Sequence, residues 1–188
     1  GGSVLGFRSP GFDLDRGLIE LLLELGTLYD SSLLPTPWLE AMKWPVRWRA
    51  RRWRVGLGHL GHGLAPRAPH LWQRDGAGLR QMPAATPGTG LVELPLSVTP
   101  RWRFPVYGTL TQQFGGRWFS RRIRRLRRDG LPINYLLHAA EVAPFGGAES
   151  GGASPVKVPG YGRPLDGRLE LLATTLGELV EGAESLTL

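Results

Sequence analysis

Apolar and polar positions along this chain follow two periods, and the changes of period mark its elements. An apolar run, Val4-Leu5-Gly6-Phe7, ends on Arg8, and Pro10-Gly11 then forces a turn. Beyond the turn, Leu18, Ile19, Leu22 and Leu25 recur at helical spacing. Asp13 or Asp15 stands where a helix cap belongs, and Gly26 where a helix ends. Thr27-Leu28-Tyr29-Asp30 reads as a short buried strand that finishes on a carboxylate. Strand, helix and strand at this spacing predict a βαβ unit with parallel pairing and a right-handed crossover.

Between residues 33 and 90 the periodicity breaks down. Prolines at 35, 37, 45, 66, 69, 83 and 87, with many glycines, interrupt any long element, so the stretch is predicted to be an irregular insertion. Trp38, Trp44, Trp48, Trp53 and Trp72 fall within it. Exposed, their rings would offer flat faces to sugar rings; buried, they would cover the core. His59 and His62 have metal-ligand spacing, but among glycines rather than on a helix, and read as a loop pair.

Regularity returns at Leu91 to Leu96, a predicted strand with Pro95 near its end. Phe119, Ile123 and Leu126 at i, i+4, i+7 predict an amphipathic helix over 119 to 128, stopped by Gly130 and Pro132. Leu131 to Leu137 read as a further strand, ending on His138. After a Gly- and Ser-rich loop, Asp166 is placed to cap a last helix. Its buried stripe would be Leu169, Leu172, Leu176, Leu179 and Val180.

Composition changes this picture in three respects. The 188 residues suffice for one domain with a real core, and no apolar run is long enough to cross a membrane. Cysteine is absent, which excludes disulfides and thiolate metal sites. The net charge of +7 suggests a polyanion partner, but its distribution argues otherwise. Twelve of the 23 basic residues are arginines in two runs free of acids, 47 to 54 and 117 to 128. The rest of the chain is mildly acidic. The first run interleaves Arg with Trp as a base-stacking surface would, yet no nucleic-acid fold signature surrounds it, and nucleic acid is not the expected partner. The second run reads as a solvated helix face.

Arg8-Ser9-Pro10-Gly11-Phe12 resembles the Arg-x-Pro motif of the polysaccharide deacetylases, carbohydrate esterase family four. Leu28-Tyr29-Asp30-Ser31-Ser32, Val92 to Val98 and Leu136-Leu137-His138 follow in that family's order. The resemblance runs from about Leu5 to the end, with a weak middle. It implies an α/β fold, a partial, distorted (β/α) barrel lacking its first strands, with residues 1–188 as the C-terminal part of one catalytic domain. It implies hydrolysis of N-acetyl groups on amino-sugar polymers, or of a related non-peptide C–N bond, at a divalent metal, usually zinc. His138 would protonate the leaving amine, Arg8 would orient the base Asp, and Asp30 matches an acidic position that partners the His in some members. Pro10, Phe12 and Leu136 would line the substrate groove. The family's Asp-Asp and His-x-x-His motifs lie upstream of Arg-x-Pro and have no counterpart here, so no metal ligand is assigned and the chain is expected to be inactive alone. The alternative is a non-catalytic basic module that binds an anionic polymer or nucleic acid through the two arginine runs.

Overall fold

A computed structural model describes residues 4–38, 60–84, 88–143 and 163–184. They belong to two compact units, one of Gly1–Pro105 with Leu131–Asn134, the other of Val106–Gly130 with Tyr135–Leu188. The arrangement is mixed α/β, with one five-stranded mixed sheet and four α-helices among the described residues.

The first unit holds the sheet. Its strands are β1 (Gly6–Phe7), β2 (Tyr29–Asp30), β3 (His70–Asp75), β4 (Gly78–Pro83) and β5 (Leu91–Glu93), in the order β1-β2-β5-β3-β4. The β1-β2-β5 part is parallel, and β3 pairs antiparallel with both β5 and β4. Helix α1 (Arg16–Glu24) links β1 to β2, as the apolar spacing requires. Asp15 caps it, its carboxylate accepting from Leu18 N at 2.7 Å, and Gly26 closes it at φ 67°, a conformation that suits glycine. Ile19 and Leu22 pack with Leu14, Leu33 and Leu91 into the core of this unit. Leu25, expected on the same stripe, is exposed. Each fully buried leucine or isoleucine contributes about 1.5–3 kcal/mol.

The stretch predicted as irregular contains a regular hairpin. Asp75 pairs with Gly78 around a two-residue turn, Gly76-Ala77, and the Asp75 carboxylate accepts from Ala77 N at 2.8 Å. The described prolines of this stretch fall outside the ladder or, like Pro83, at its end, where a missing N–H costs least. Trp72 lies on β3 and packs against the core, while Trp38 and Trp102 are exposed, joined by a hydrogen bond from Trp38 Nε1 to Trp102 O. Trp44, Trp48, Trp53 and His59 lie outside the described residues.

The second unit is helical: α2 (Gly108–Phe114), α3 (Gly116–Asp129) and α4 (Leu165–Val180). Phe119, Ile123 and Leu126 form the buried face of α3, as expected, and Gly130 ends it at φ 69°. Ser120 Oγ donates to Glu178 Oε2 at 2.6 Å. Arg127 donates to the carbonyls of Glu178, Leu179 and Glu181, placing a cation on the exposed end of α4 where the helix dipole favours one.

Three expectations are corrected here. Leu131 to Leu137 form no strand: this extended segment makes single hydrogen bonds, from Ser97 N to Asn134 O and from Gly108 N to Leu136 O, and no ladder. The strand at Leu91 stops at Glu93 rather than Leu96, because beyond Leu94, whose N–H still donates to Asp30 O, Leu96 N turns to Leu33 O and Ser97 N to Asn134 O. The last helix is capped at Pro164, not by Asp166, and its face is rotated: Arg168, Leu172 and Thr175 are buried while Leu169, Leu176 and Val180 are exposed. Arg168 accounts for the rotation, since its guanidinium donates to Ala143 O at 2.9 Å and its carbonyl accepts from Gln112 Nε2 at 3.1 Å.

Glycine at position 6 is required by close approach, since a Cβ there would fall inside the ring of Tyr29 on the neighbouring strand. Gly6→Ala is therefore expected to cost about 1–3 kcal/mol by overpacking, read from urea unfolding. The loss should shrink when Tyr29→Leu is added. An undiminished loss in the double variant would mean that the ring is not the obstacle.

Candidate functional site

Two groups of chemically capable side chains stand out, one in each unit. The first is built by strand register. Phe7 pairs with Asp30 and Asp30 with Glu93 across the parallel strands, so the two carboxyl side chains share one face and lie side by side. Neither has any exposed surface. Asp30 is held by its own loop: Oδ2 accepts from Ser32 N at 3.0 Å and Oδ1 from Ser32 Oγ at 2.8 Å. Ser32 Oγ in turn accepts from Ser9 N at 2.7 Å, which ties the Arg8 loop to the next strand end.

Glu93 Oε1 accepts from Leu33 N at 3.1 Å, and no donor reaches Oε2. Burial raises the Glu93 pKa to about 9, helped by the charge of Asp30 and by hydrogen bonding to it, and opposed by Leu33 N–H and by Arg8. Glu93 is therefore a protonated acid near neutral pH, lying beside the Asp30 carboxyl.

Arg8 stands one residue beyond β1 at the same end of the parallel strands. Its Nε donates to Ser31 O at 2.9 Å and its Nη2 to Ser31 Oγ at 2.6 Å and Asn134 Oδ1 at 3.4 Å. The residue as a whole is exposed, but its guanidinium is pressed against these partners. Desolvation lowers its pKa, and the acidic groups at Asp30, Glu93 and Tyr29 push it back up. Ser31 Oγ donates to Leu94 O at 2.8 Å and accepts from Asn134 Nδ2 at 2.8 Å. Asn134 is fixed by a bond from its own N–H to Ser97 Oγ at 2.9 Å. A cation is thus locked over a buried acid pair by three neutral polar residues. Pro10 and Phe12 follow in a short 3-10 turn, with Phe12 at φ 60°, unusual for a side chain of that size.

The second group surrounds His138, which lies in the other unit. Its Nδ1 is 3.3 Å from Glu141 Oε1 and 3.3 Å from Thr109 Oγ1. Thr109 Oγ1 donates to the same carboxylate oxygen at 3.0 Å. Since a carboxylate only accepts and the Thr109 proton is committed to it, Nδ1 carries a hydrogen directed at Glu141. Glu141 has no exposed surface, whereas 45% of the His138 side chain is open to solvent. Gly108 makes room, because a Cβ there would collide with the Glu141 carboxylate. A buried carboxylate behind an accessible imidazole is the arrangement that orients a histidine for proton transfer. Leu136 contributes its carbonyl to Gly108 N at 2.9 Å and is half-buried.

Asp30 was expected to partner the histidine, but the carboxylate that meets His138 is Glu141. Sequence reasoning passed over Glu141, Glu93 and Asn134. His138-x-x-Glu141 spacing was a usable signal for the first, and a charged residue inside the apolar run Leu91 to Leu96 for the second. The described residues contain no group of three or more His, Cys, Asp or Glu able to hold a metal, and the oxygens of Asp30 are already engaged by Ser32, so the described residues do not fit the metal implied by the resemblance. No protein-family model, no curated protein and no solved structure matches the chain.

The raised pKa of Glu93 fixes a sign for stability against pH. The folded state keeps a proton that an unfolded glutamate, with its ordinary pKa of 4.5, has lost. This contribution is fully present below that value and is lost as pH rises toward about 9. Unfolding free energy should fall across the window by up to about 1.4 kcal/mol per pH unit, and Glu93→Gln should flatten the slope. Equal slopes in the two proteins would show that Glu93 is ionised when folded.

Proposed function

We propose that this chain carries the proton-donating and positioning part of a polysaccharide deacetylase-like hydrolase acting on a non-peptide C–N bond. The observation that carries the reading is His138, half open to solvent, with Nδ1 turned to the buried Glu141 carboxylate. Imidazole is the side chain best able to hold and release a proton near neutral pH. In this reading, once water has added to the acetyl carbon, His138 gives its Nε2 proton to the departing amine nitrogen as the C–N bond breaks and acetic acid leaves, and Glu141 fixes the ring through Nδ1.

Arg8 supplies a fixed positive charge at the ends of the parallel strands, kept in place by Ser31 and Asn134. Asp30 and Glu93 support it from within rather than reacting, since both are enclosed. Pro10 and Phe12 in the first unit, and Leu136 by itself in the second, are each proposed as a contact for an acetylated amino-sugar polymer. The fold is read as part of a (β/α) barrel of the deacetylase type, with β1-β2-β5 as its parallel staves. Because the described residues do not fit a metal, no step here runs through one.

Two outcomes test the reading. The isolated chain with added zinc should show no turnover of an N-acetylated chitooligosaccharide above a metal-only control; clear turnover would place the chemistry on other residues. In a chain preceded by the family's Asp-Asp and His-x-x-His segments, His138→Ala should lower kcat by about 100- to 10,000-fold. Glu141→Gln should lower it less, and the double variant should be no worse than His138→Ala alone, because the two act as one unit. Additive losses would separate Glu141 from His138.

A further inference from the structure

We propose that the outer face of α3 is a binding surface for single-stranded nucleic acid, independent of the hydrolase reading. Arg117, Arg121, Arg124, Arg125 and Arg128 line one groove of about 520 Å³ together with Trp118. They span twelve residues of one helix, about 16 Å along its axis, with i, i+4 steps of about 6 Å. The lining contains no carboxylate, and no described acidic side chain pairs with any of these five arginines. The other two arginines of the helix are engaged: Arg127 with the carbonyls ending α4, and Arg122 over the Trp118 ring at 5.7 Å.

Such a row of like charges repels itself and is compensated only by an anionic partner or by salt. The buried side of α3 already holds Phe119, Ile123 and Leu126, so no apolar face remains to enter a lipid surface. What singles out nucleic acid is the aromatic pair at one end of the groove. Phe114 and Trp118 lie 5.3 Å apart with their planes tilted by 35°, and Phe114 is 48% exposed. Guanidinium groups bind phosphates in a forked geometry, while aromatic faces stack bases without choosing among them. A phosphodiester chain with unpaired bases satisfies both features with planar partners; a sulfated glycan meets the aromatic end only with saturated, non-planar rings. In the sequence alone these arginines read as a solvated face, and it is the groove and its aromatic end that alter the reading.

The test is fluorescence anisotropy of a labelled twelve-nucleotide oligo-dT with the full chain over a range of KCl. Binding should weaken with salt at a log–log slope of about 3, since five phosphate contacts at about 0.7 each set its upper bound. Arg121→Glu with Arg125→Glu, both exposed positions, should weaken binding at least about tenfold at low salt and reduce that slope. Phe114→Leu should weaken it by about fivefold or more with the slope unchanged, because stacking releases no counterions. Circular dichroism should show that each variant keeps its helices. No binding at low salt would overturn the proposal. So would binding that survives charge reversal on α3 but is lost when the arginines of 47 to 54 are reversed. A sulfated oligosaccharide of equal charge that binds as tightly as the oligonucleotide, with Phe114→Leu silent, would also overturn it, leaving a charge-only surface.

Discussion

Two glutamates with no exposed surface, Glu93 and Glu141, impose the constraint around which each unit is built. An ionised carboxylate taken out of water without compensation costs several kcal/mol, so its surroundings must supply donors, a countercharge or a proton. The two units meet this demand differently. Glu93 keeps a proton beside Asp30, under the guanidinium of Arg8. Glu141 takes one hydrogen bond from Thr109 and an N–H from His138, and leaves that ring open on its other side. Each arrangement also retains one carboxyl oxygen without a donor, Oε2 in both cases. Both carboxyls are enclosed, so the group left accessible to a substrate is the His138 ring in front of Glu141.

The backbone explains why the groups fall where they do. Parallel pairing at Phe7, Asp30 and Glu93 brings the ends of three strands level, and the loops beyond them then carry Arg8, Ser31 and Leu94 together. Ser31 accepts from Arg8 and from Asn134 while donating to Leu94, so one hydroxyl joins three separate parts of the chain. Glycine does similar work in both units: Gly6 lets the ring of Tyr29 lie over β1, and Gly108 lets the carboxylate of Glu141 reach the start of α2. Neither role calls for an unusual dihedral angle. Both call for the missing side chain.

Much of this was legible in the sequence where local chemistry and periodicity agree. The βαβ start, the Gly26 and Gly130 stops and the buried face of α3 follow from spacing and residue type, and of the two candidate caps, Asp13 and Asp15, it is Asp15 that serves. The β3–β4 hairpin was hidden by the prolines around it, although Asp75-Gly76 between alternating residues was a sufficient turn signal. Leu131 to Leu137 has the composition of a strand, but strand assignment needs a partner ladder, and single bonds to Ser97 and Gly108 do not make one. The face of α4 was misjudged because a buried arginine defeats any rule that counts only apolar positions. The residues around His138 and Arg8 were reached through a resemblance in motif order. Their partners, Glu141, Glu93 and Asn134, became visible only through contacts.

The account rests most heavily on His138 as the group that protonates a leaving amine, and leaving-group dependence tests this directly. In the extended chain, kcat of wild type and His138→Ala should be compared on an N-acetyl amide and on an activated acetate ester. A good leaving group needs little protonation, so the variant should lose about 100-fold or more on the amide and recover much of that loss on the ester. Arg8→Ala, which disturbs positioning rather than proton transfer, should lose the same factor on both. Equal losses of His138→Ala on amide and ester, or full amide activity in that variant, would contradict the role given to His138.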